Sequence, residues 1–317
     1  MVSESGSGAV SSKGGKLADI AKRDIAKGNT ELHDLLERLA EVNRFQLLAA
    51  SGGQIDIVDG EVKTALGVLI PLSSIDSAKN KLNELSKLVE SGDTGTEYVH
   101  TLQDYLSLVP QKIPSRRGWD KTFFTDFTNF QDQYNFLDQL ESSVKNGKPV
   151  EQIKEDVEIE KVFGYSLETV EDGKVFDKIN KFYKKGLNSR HASADRKLFK
   201  IYKMVNAEKE SLYEEIAKKL GNVRELWHGS QPTNVLSILK SGLIIPPTTG
   251  GNYTIAGRLF GPGVYMSDQS TKSLNYSIGY WGNSRVQGNV FMFHCEAAMG
   301  KEYIPTYGMQ KIPQGYD

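Results

Sequence analysis

Leu226-Trp227-His228-Gly229-Ser230 decides the reading of this chain. It takes its meaning from a second run, Gly261-Pro262-Gly263-Val264-Tyr265-Met266-Ser267-Asp268-Gln269-Ser270-Thr271-Lys272-Ser273-Leu274-Asn275-Tyr276. Arg224 to His228 is a short strand-like run that ends in His-Gly, so a polar side chain and a residue without Cβ stand together at a strand end. Gly257, Gly261 and Gly263 surround a short apolar step and lead into a second β-type run, Gly263 to Ser267. Their spacing is not that of a dinucleotide fingerprint, and no Walker lysine follows. Ser273 and Tyr276 are spaced to share a helix face.

Outward from that centre, the second half of the chain mixes helices with short strands. Val175, Ile179 and Phe182 mark a helix, Leu198 to Val205 a strand, and Leu212, Ile216 and Leu220 another helix. Thr233 reads as an N-cap, Val235, Ile238 and Leu239 as an apolar face, and Gly242 as the residue that closes that helix. Val290 to Met299 is a further β-type run. The first half reads as helix. Leu32, Leu35, Leu36, Leu39 and Val42 fall on one face; Ala78, Leu82, Leu85 and Val89 repeat the spacing, as do Val99, Leu102, Leu106 and Val109, and then Phe130, Tyr134, Leu137 and Val144. The segments around Ile55 to Gly60 and Pro110 to Gly118 read as breaks, and Phe123, Phe124, Phe127 and Phe130 as core. The expected fold class is α+β: an N-terminal all-helical bundle packed on a mixed unit with an antiparallel-rich sheet. The expected boundaries are a disordered or partly helical tail at 1–29, the helical unit at 30–155 and the mixed unit at 156–317.

Composition narrows the function. The chain has 317 residues, 25% charged and 38% hydrophobic, with a net charge of −1. That balance gives no global positive field for nucleic acid or membrane. The basic stretch from Lys181 to Arg196 reads first as a solvated face and second as a nucleic-acid module. The single Cys295 sits in an apolar run and reads as a buried structural thiol; one Cys and five His offer no zinc-ligand spacing. No apolar run approaches the length of a membrane span and no signal-peptide core opens the chain, so an intracellular soluble protein is expected, nuclear if eukaryotic and otherwise cytoplasmic.

The chemistry of the central residues points to a planar amide. The backbone N–H and C=O of Gly229 can pair with both halves of a carboxamide, the Ser230 or Ser273 hydroxyl can add a hydrogen bond, and Tyr276 can stack on a flat ring. Taken singly, the His228 piece also reads as a satisfied structural histidine and the glycine-rich piece as a turn leading into a strand.

The combination Trp227-His228-Gly229-Ser230, Ser237-Ile238-Leu239 with Ser241-Gly242-Leu243, Phe260-Gly261 with Gly263-Val264-Tyr265 and Ser267-Asp268, then Lys272-Ser273 with Asn275-Tyr276, resembles the catalytic domain of the poly(ADP-ribose) polymerase family. Leu69-Ile70-Pro71-Leu72-Ser73 and Tyr105-Leu106-Ser107-Leu108-Val109-Pro110 resemble the helical regulatory domain that precedes it in DNA-dependent members. The resemblance covers roughly residues 30–317 and implies an ADP-ribosyltransferase that uses NAD as substrate, needs no metal and modifies an acceptor protein. DNA-dependent regulation would come through modules outside this chain. It implies that His228 binds a ribose hydroxyl on the adenosine side and that Gly229 and Ser273 hold the nicotinamide amide. Tyr276 would stack on the ring, with Tyr265 as the opposite wall. Ser230 and Asn234 would lie near the adenosine ribose, and Lys272 would assist the acceptor or the nicotinamide ribose. Residues 245–260 would form the loop over the donor cleft. Arg258 stands where an aromatic is common, and Ile244 and Ile245 where an arginine is common. His228, Tyr276 and Lys272 are the candidate catalytic residues. The glutamate that the family carries on a late strand is expected beyond Asp317. The last glutamates, Glu296 and Glu302, are not expected to replace it, and a completing C-terminal segment or chain is expected. The competing readings are an NAD-pocket scaffold without transfer and the nucleic-acid module.

Overall fold

A computed structural model gives the architecture of residues 15–58, 61–113, 117–124, 127–146, 161–243, 260, 263–279, 288–307 and 313–316. Helix α1 (Gly15–Ala21) runs into a π-helical turn (Lys22–Ala26), which ends at Lys27 and Gly28 with φ of 46° and 88°. The Asn29 side chain accepts the Glu31 N–H and caps a 3-10 turn (Thr30–Leu32) that opens helix α2 (His33–Ala50). Where the sequence reads a break, β1 (Ile55–Val58) and β2 (Glu61–Thr64) pair as an antiparallel ladder, Ile55 opposite Thr64. Ile55 and Val62 are buried, and Asp56 accepts two 2.9 Å hydrogen bonds from Arg44 of α2. The helical unit therefore holds a small β element, pinned by burial on one side and by a bidentate ion pair on the other.

Helices α3 (Leu72–Glu90), α4 (Thr96–Leu108), α5 (Asp120–Phe123) and α6 (Phe127–Asn146) complete this unit. The expected stripes converge: Ala78, Leu82, Leu85, Leu102, Phe130 and Leu137 share one buried cluster. Phe124 and Phe130 stack with ring centres 4.3 Å apart, and Phe123 meets Phe124 edge-on at 5.0 Å, so the aromatic run is core. The Phe127 side chain lies outside the described residues. Val42 departs from its stripe and is 38% exposed.

The mixed unit runs β3 (Ser166–Thr169), α7 (Gly173–Lys185), β4 (Tyr202–Val205), α8 (Ala207–Leu220), β5 (Val223–Gly229), α9 (Val235–Ser241), α10 (Ser270–Ser277) and β6 (Met292–Ala298). β3 pairs antiparallel with β4, and β5 with β6. Local chemistry sets the helix ends. Asp172 caps α7 by accepting the Lys174 N–H at 2.8 Å, and Lys184 and Lys185 sit in the last turn, where the helix dipole favours cations. Gly242, with φ 81°, ends α9 as expected. Thr233 does not cap it: it lies inside a 3-10 turn (Pro232–Asn234), buried with no partner for its hydroxyl among the described residues, and Asn234 holds the cap position. The Gly263–Ser267 run forms no strand; Ser267 alone bridges to Trp227. The apolar stripe of α8 is present, but Leu212 and Ile216 are 48% and 43% exposed.

The two units share a core. Leu17, Ala21 and Ile25 from the N-terminal turns and Leu32, Leu36 and Leu39 from α2 pack with Phe163, Leu167, Val235, Leu236 and Leu239. Leu17, Ala18, Ala21, Ile25 and Ala26 thus make the segment expected to be a disordered or partly helical tail a helical strap packed into this core. Among the described residues no helix is long and apolar enough to cross a membrane, and no group of His, Cys, Asp and Glu is placed to hold a metal ion.

Candidate active site

The centre of the site is the end of β5. The Trp227 N–H donates to the Ser267 carbonyl at 2.8 Å, and the Ser267 N–H donates to the Trp227 carbonyl at 2.9 Å. Backbone groups of alternate residues leave a strand on alternate sides, so Gly229 directs its N–H and C=O to the side of Ser267. The bridge stops after one residue pair. Among the described residues, none on that side bonds to the Gly229 amide.

Gly229 must be glycine for a reason the sequence does not give. A Cβ there would lie 1.7 Å from the Ser273 carbonyl oxygen of α10, which presses on the strand end. The expected close approach belongs to a neighbouring helix. Ser273 is buried and its hydroxyl donates to the Trp227 carbonyl at 2.8 Å, so its oxygen keeps acceptor capacity towards an amide N–H. Trp227 is fixed from behind: it stacks on Phe182 at 5.4 Å, meets Tyr183 edge-on at 6.1 Å and lies 4.8 Å from His294.

His228 is half-buried on the opposite strand face, with Nδ1 2.9 Å from the Tyr265 carbonyl. Burial lowers its pKa below the usual histidine value, against the hydrogen bond to the Tyr265 carbonyl that raises it. The neutral ring thus donates through Nδ1–H and presents Nε2 as an acceptor. The Tyr265 ring is 37% exposed, and its hydroxyl accepts the Phe260 N–H at 3.0 Å. Asn234 Nδ2 donates to Ser230 Oγ at 3.1 Å, so these two expected ribose contacts stand together. Tyr276 is 47% exposed on α10, and Lys272, one turn earlier, is exposed.

Among the expected features, Gly257, Arg258, Gly261, Pro262, Ile244, Ile245 and all of the 245–260 loop except Phe260 lie outside the described residues. Glu302 accepts a 2.7 Å hydrogen bond from Arg224. Glu296 stands opposite Glu225, which pairs with Lys178 at 2.6 Å. Four residue steps along the strand separate that position from Gly229, roughly 13 Å. Cys295 is half-buried, and burial pushes its thiol up to about 11, far from thiolate reactivity. Thr271, Ser193 and Asn275 also belong to the site's frame. No periodicity marks them; their signal is the density of small polar residues in Ser270-Thr271-Lys272-Ser273-Leu274-Asn275-Tyr276-Ser277.

Residues 174–317 match the model of the family described as the poly(ADP-ribose) polymerase catalytic domain. The poly [ADP-ribose] polymerase of Sarcophaga peregrina is 29% identical over 237 residues, covering 66% of this chain and 21% of that protein. Poly [ADP-ribose] polymerase 1 of Gallus gallus is 27% identical over 209 residues, 64% of this chain and 20% of that protein. Protein mono-ADP-ribosyltransferase PARP3 of Homo sapiens is 34% identical over 116 residues, 36% of this chain and 20% of that protein. The chain spans about a fifth of the length of these relatives.

Proposed function

From the match of residues 174–317 to the poly(ADP-ribose) polymerase catalytic domain, we propose that the chain is a member of that family and an ADP-ribosyltransferase whose NAD-binding cleft lies at the end of β5. The observation that carries this reading is the backbone amide of Gly229, which no described residue bonds on the Ser267 side, beside the buried Ser273 hydroxyl. On this reading the nicotinamide carboxamide pairs with Gly229 N–H and C=O, and its second N–H reaches Ser273 Oγ. Tyr276 covers the ring, a contact worth about 1 kcal/mol beyond area burial, and Tyr265 stands as the other wall. His228 Nε2 accepts a ribose hydroxyl proton, Ser230 and Asn234 line the same side, and Lys272 lies towards the acceptor.

The chemistry follows from what is held. Breaking the bond between ribose C1 and the nicotinamide nitrogen passes through an oxocarbenium-like state, and fixing the leaving ring supplies orientation. An acceptor side chain then bonds to C1 and loses its proton to a base. Glu302, paired with Arg224, and Glu296, a strand's length from Gly229, are badly placed for that base. The same observation favours a second reading, in which residues 1–317 bind NAD without transferring it.

Benzamide, which carries the carboxamide and ring without the ribose, tests the pocket. At a hundredfold excess over Kd it should stabilise the protein by about 2.7 kcal/mol, since it binds the folded state only. Tyr276→Ala should remove most of the melting shift. A shift of equal size in that variant would show that benzamide binds elsewhere.

A further inference from the structure

Helix α10 carries the two side chains that the proposed pocket needs most, yet little apolar packing orients it. Ser270, Thr271, Ser273, Asn275 and Ser277 are all buried, and Leu274 is its one buried apolar residue. Hydrogen bonds hold the helix instead, and most come from the loop after α7. The Asn188 N–H donates to Thr271 Oγ1 at 2.9 Å, and His191 Nδ1 lies 2.9 Å from the same oxygen. Ser193, itself fully buried, donates its hydroxyl to the Thr271 carbonyl at 2.9 Å and its N–H to Asn275 Oδ1 at 3.2 Å. Ser270 Oγ donates to the Tyr183 carbonyl at 2.7 Å, at the end of α7.

We propose that residues 188–193 form a polar clasp that sets the rotation and register of α10, with Thr271 and Ser193 as positioning residues for Ser273 and Tyr276. Thr271 and Asn275 are one turn apart on the face gripped by the loop, while Ser273 and Ser277 occupy the face against β5. Hydrogen bonds are directional where apolar contacts are not, so the clasp fixes an angle as well as a distance. Tight fit at Gly229 makes the angle matter, because the Ser273 carbonyl already fills the space a Cβ would take. The nicotinamide consequence of the clasp rests on the function proposed above; the clasp itself does not.

The test uses the 317-residue protein and the variants Thr271→Val, Thr271→Ser and Ser193→Ala. Hydrogen exchange of the residue 270–279 amides reads the clasp without any ligand, and calorimetric titration with benzamide reads its effect on the pocket. Thr271→Val keeps the shape and removes the hydroxyl; it should accelerate exchange in α10 and weaken benzamide binding by about tenfold or more. Thr271→Ser should restore both. Ser193→Ala should show the same two effects even if the valine variant does not fold. Unchanged exchange in both Thr271→Val and Ser193→Ala overturns the clasp. Failure of Thr271→Ser to restore exchange and affinity overturns the hydrogen-bond basis. Faster exchange in the variants, together with a parent protein that binds no benzamide, overturns the nicotinamide pocket and leaves the clasp standing.

Discussion

His228 and Tyr265 are joined through the imidazole Nδ1 and the backbone carbonyl, 2.9 Å apart, so the ring at the strand end is oriented by the loop that follows the glycine-rich segment. Burial holds the His228 pKa below its ordinary value of about 6.5, with the Tyr265 hydrogen bond opposing. The unfolded chain then binds more protons than the folded one as pH falls, so stability must rise with pH in this range. The contribution is complete above the unfolded value and is lost as pH drops from there through the folded value. His294 is lowered for the same first cause, burial, and adds in the same window. Melting temperature measured from pH 8 to 5 should fall below about pH 6.5. His228→Gln should flatten part of that fall and His294→Gln another part; a profile unchanged by both substitutions would refute the assignment.

Gly229→Ala should be far more damaging than an ordinary surface change. Its Cβ would meet the Ser273 carbonyl at 1.7 Å, a backbone atom that moves only if α10 moves. Overpacking of this kind costs about 1–3 kcal/mol, and the displaced helix carries Ser273 and Tyr276 with it. Denaturant titration should show that loss, and the benzamide-induced melting shift should shrink to near zero. A variant with parental stability and a full shift would mean that strand and helix are not in contact.

The helical unit was legible because its signal is periodic: Leu82, Leu85, Leu102 and Leu137 announce buried faces by spacing alone. The β1–β2 pair was not, since Ile55 and Val62 are its buried residues and Asp56 is held by an arginine on another element. The α8 stripe shows the limit of pattern, for spacing gives Leu212 and Ile216 a common face without saying what covers it. The candidate site was legible through motif resemblance. Its frame was not, because Ser193 and Thr271 meet across a long stretch of chain and neither belongs to an apolar pattern.

Asp24 should hold the two units together. Its side chain is 2% exposed, Oδ2 accepts the Val162 and Phe163 N–H groups at 2.8 and 3.2 Å, and Oδ1 accepts Arg23 Nε at 2.6 Å. Burial raises its pKa, but Arg23 and the two backbone donors together outweigh it and the net shift is downward. That stability is present above the unfolded value of about 3.9 and is lost as pH falls through the folded one. Asp24→Ala leaves one buried and one part-buried N–H group without an acceptor and should cost about 3 kcal/mol. Denaturant titration reads the loss, and a cost under about 1 kcal/mol would show that the N-terminal strap is not anchored through this carboxylate.

Transfer activity should not depend on either late glutamate. Glu302 is 24% exposed and tied to Arg224, which is 53% exposed, so Glu302→Gln should cost no more than about 1 kcal/mol. Glu296 faces Glu225 and the Lys178 pair, far along the strand from Gly229. A base and ribose-orienting carboxylate contribute roughly 10²–10⁴-fold in rate, and neither of these groups is placed to supply it. The 317-residue protein, incubated with labelled NAD, should therefore form no ADP-ribose chains and at most turn NAD over slowly. Glu296→Gln and Glu302→Gln should leave that slow turnover and benzamide binding unchanged within about twofold, the scale of a modest surface effect. Long chains that disappear in either variant would identify that glutamate as the catalytic carboxylate and require strand β6 to present it to the cleft at Gly229.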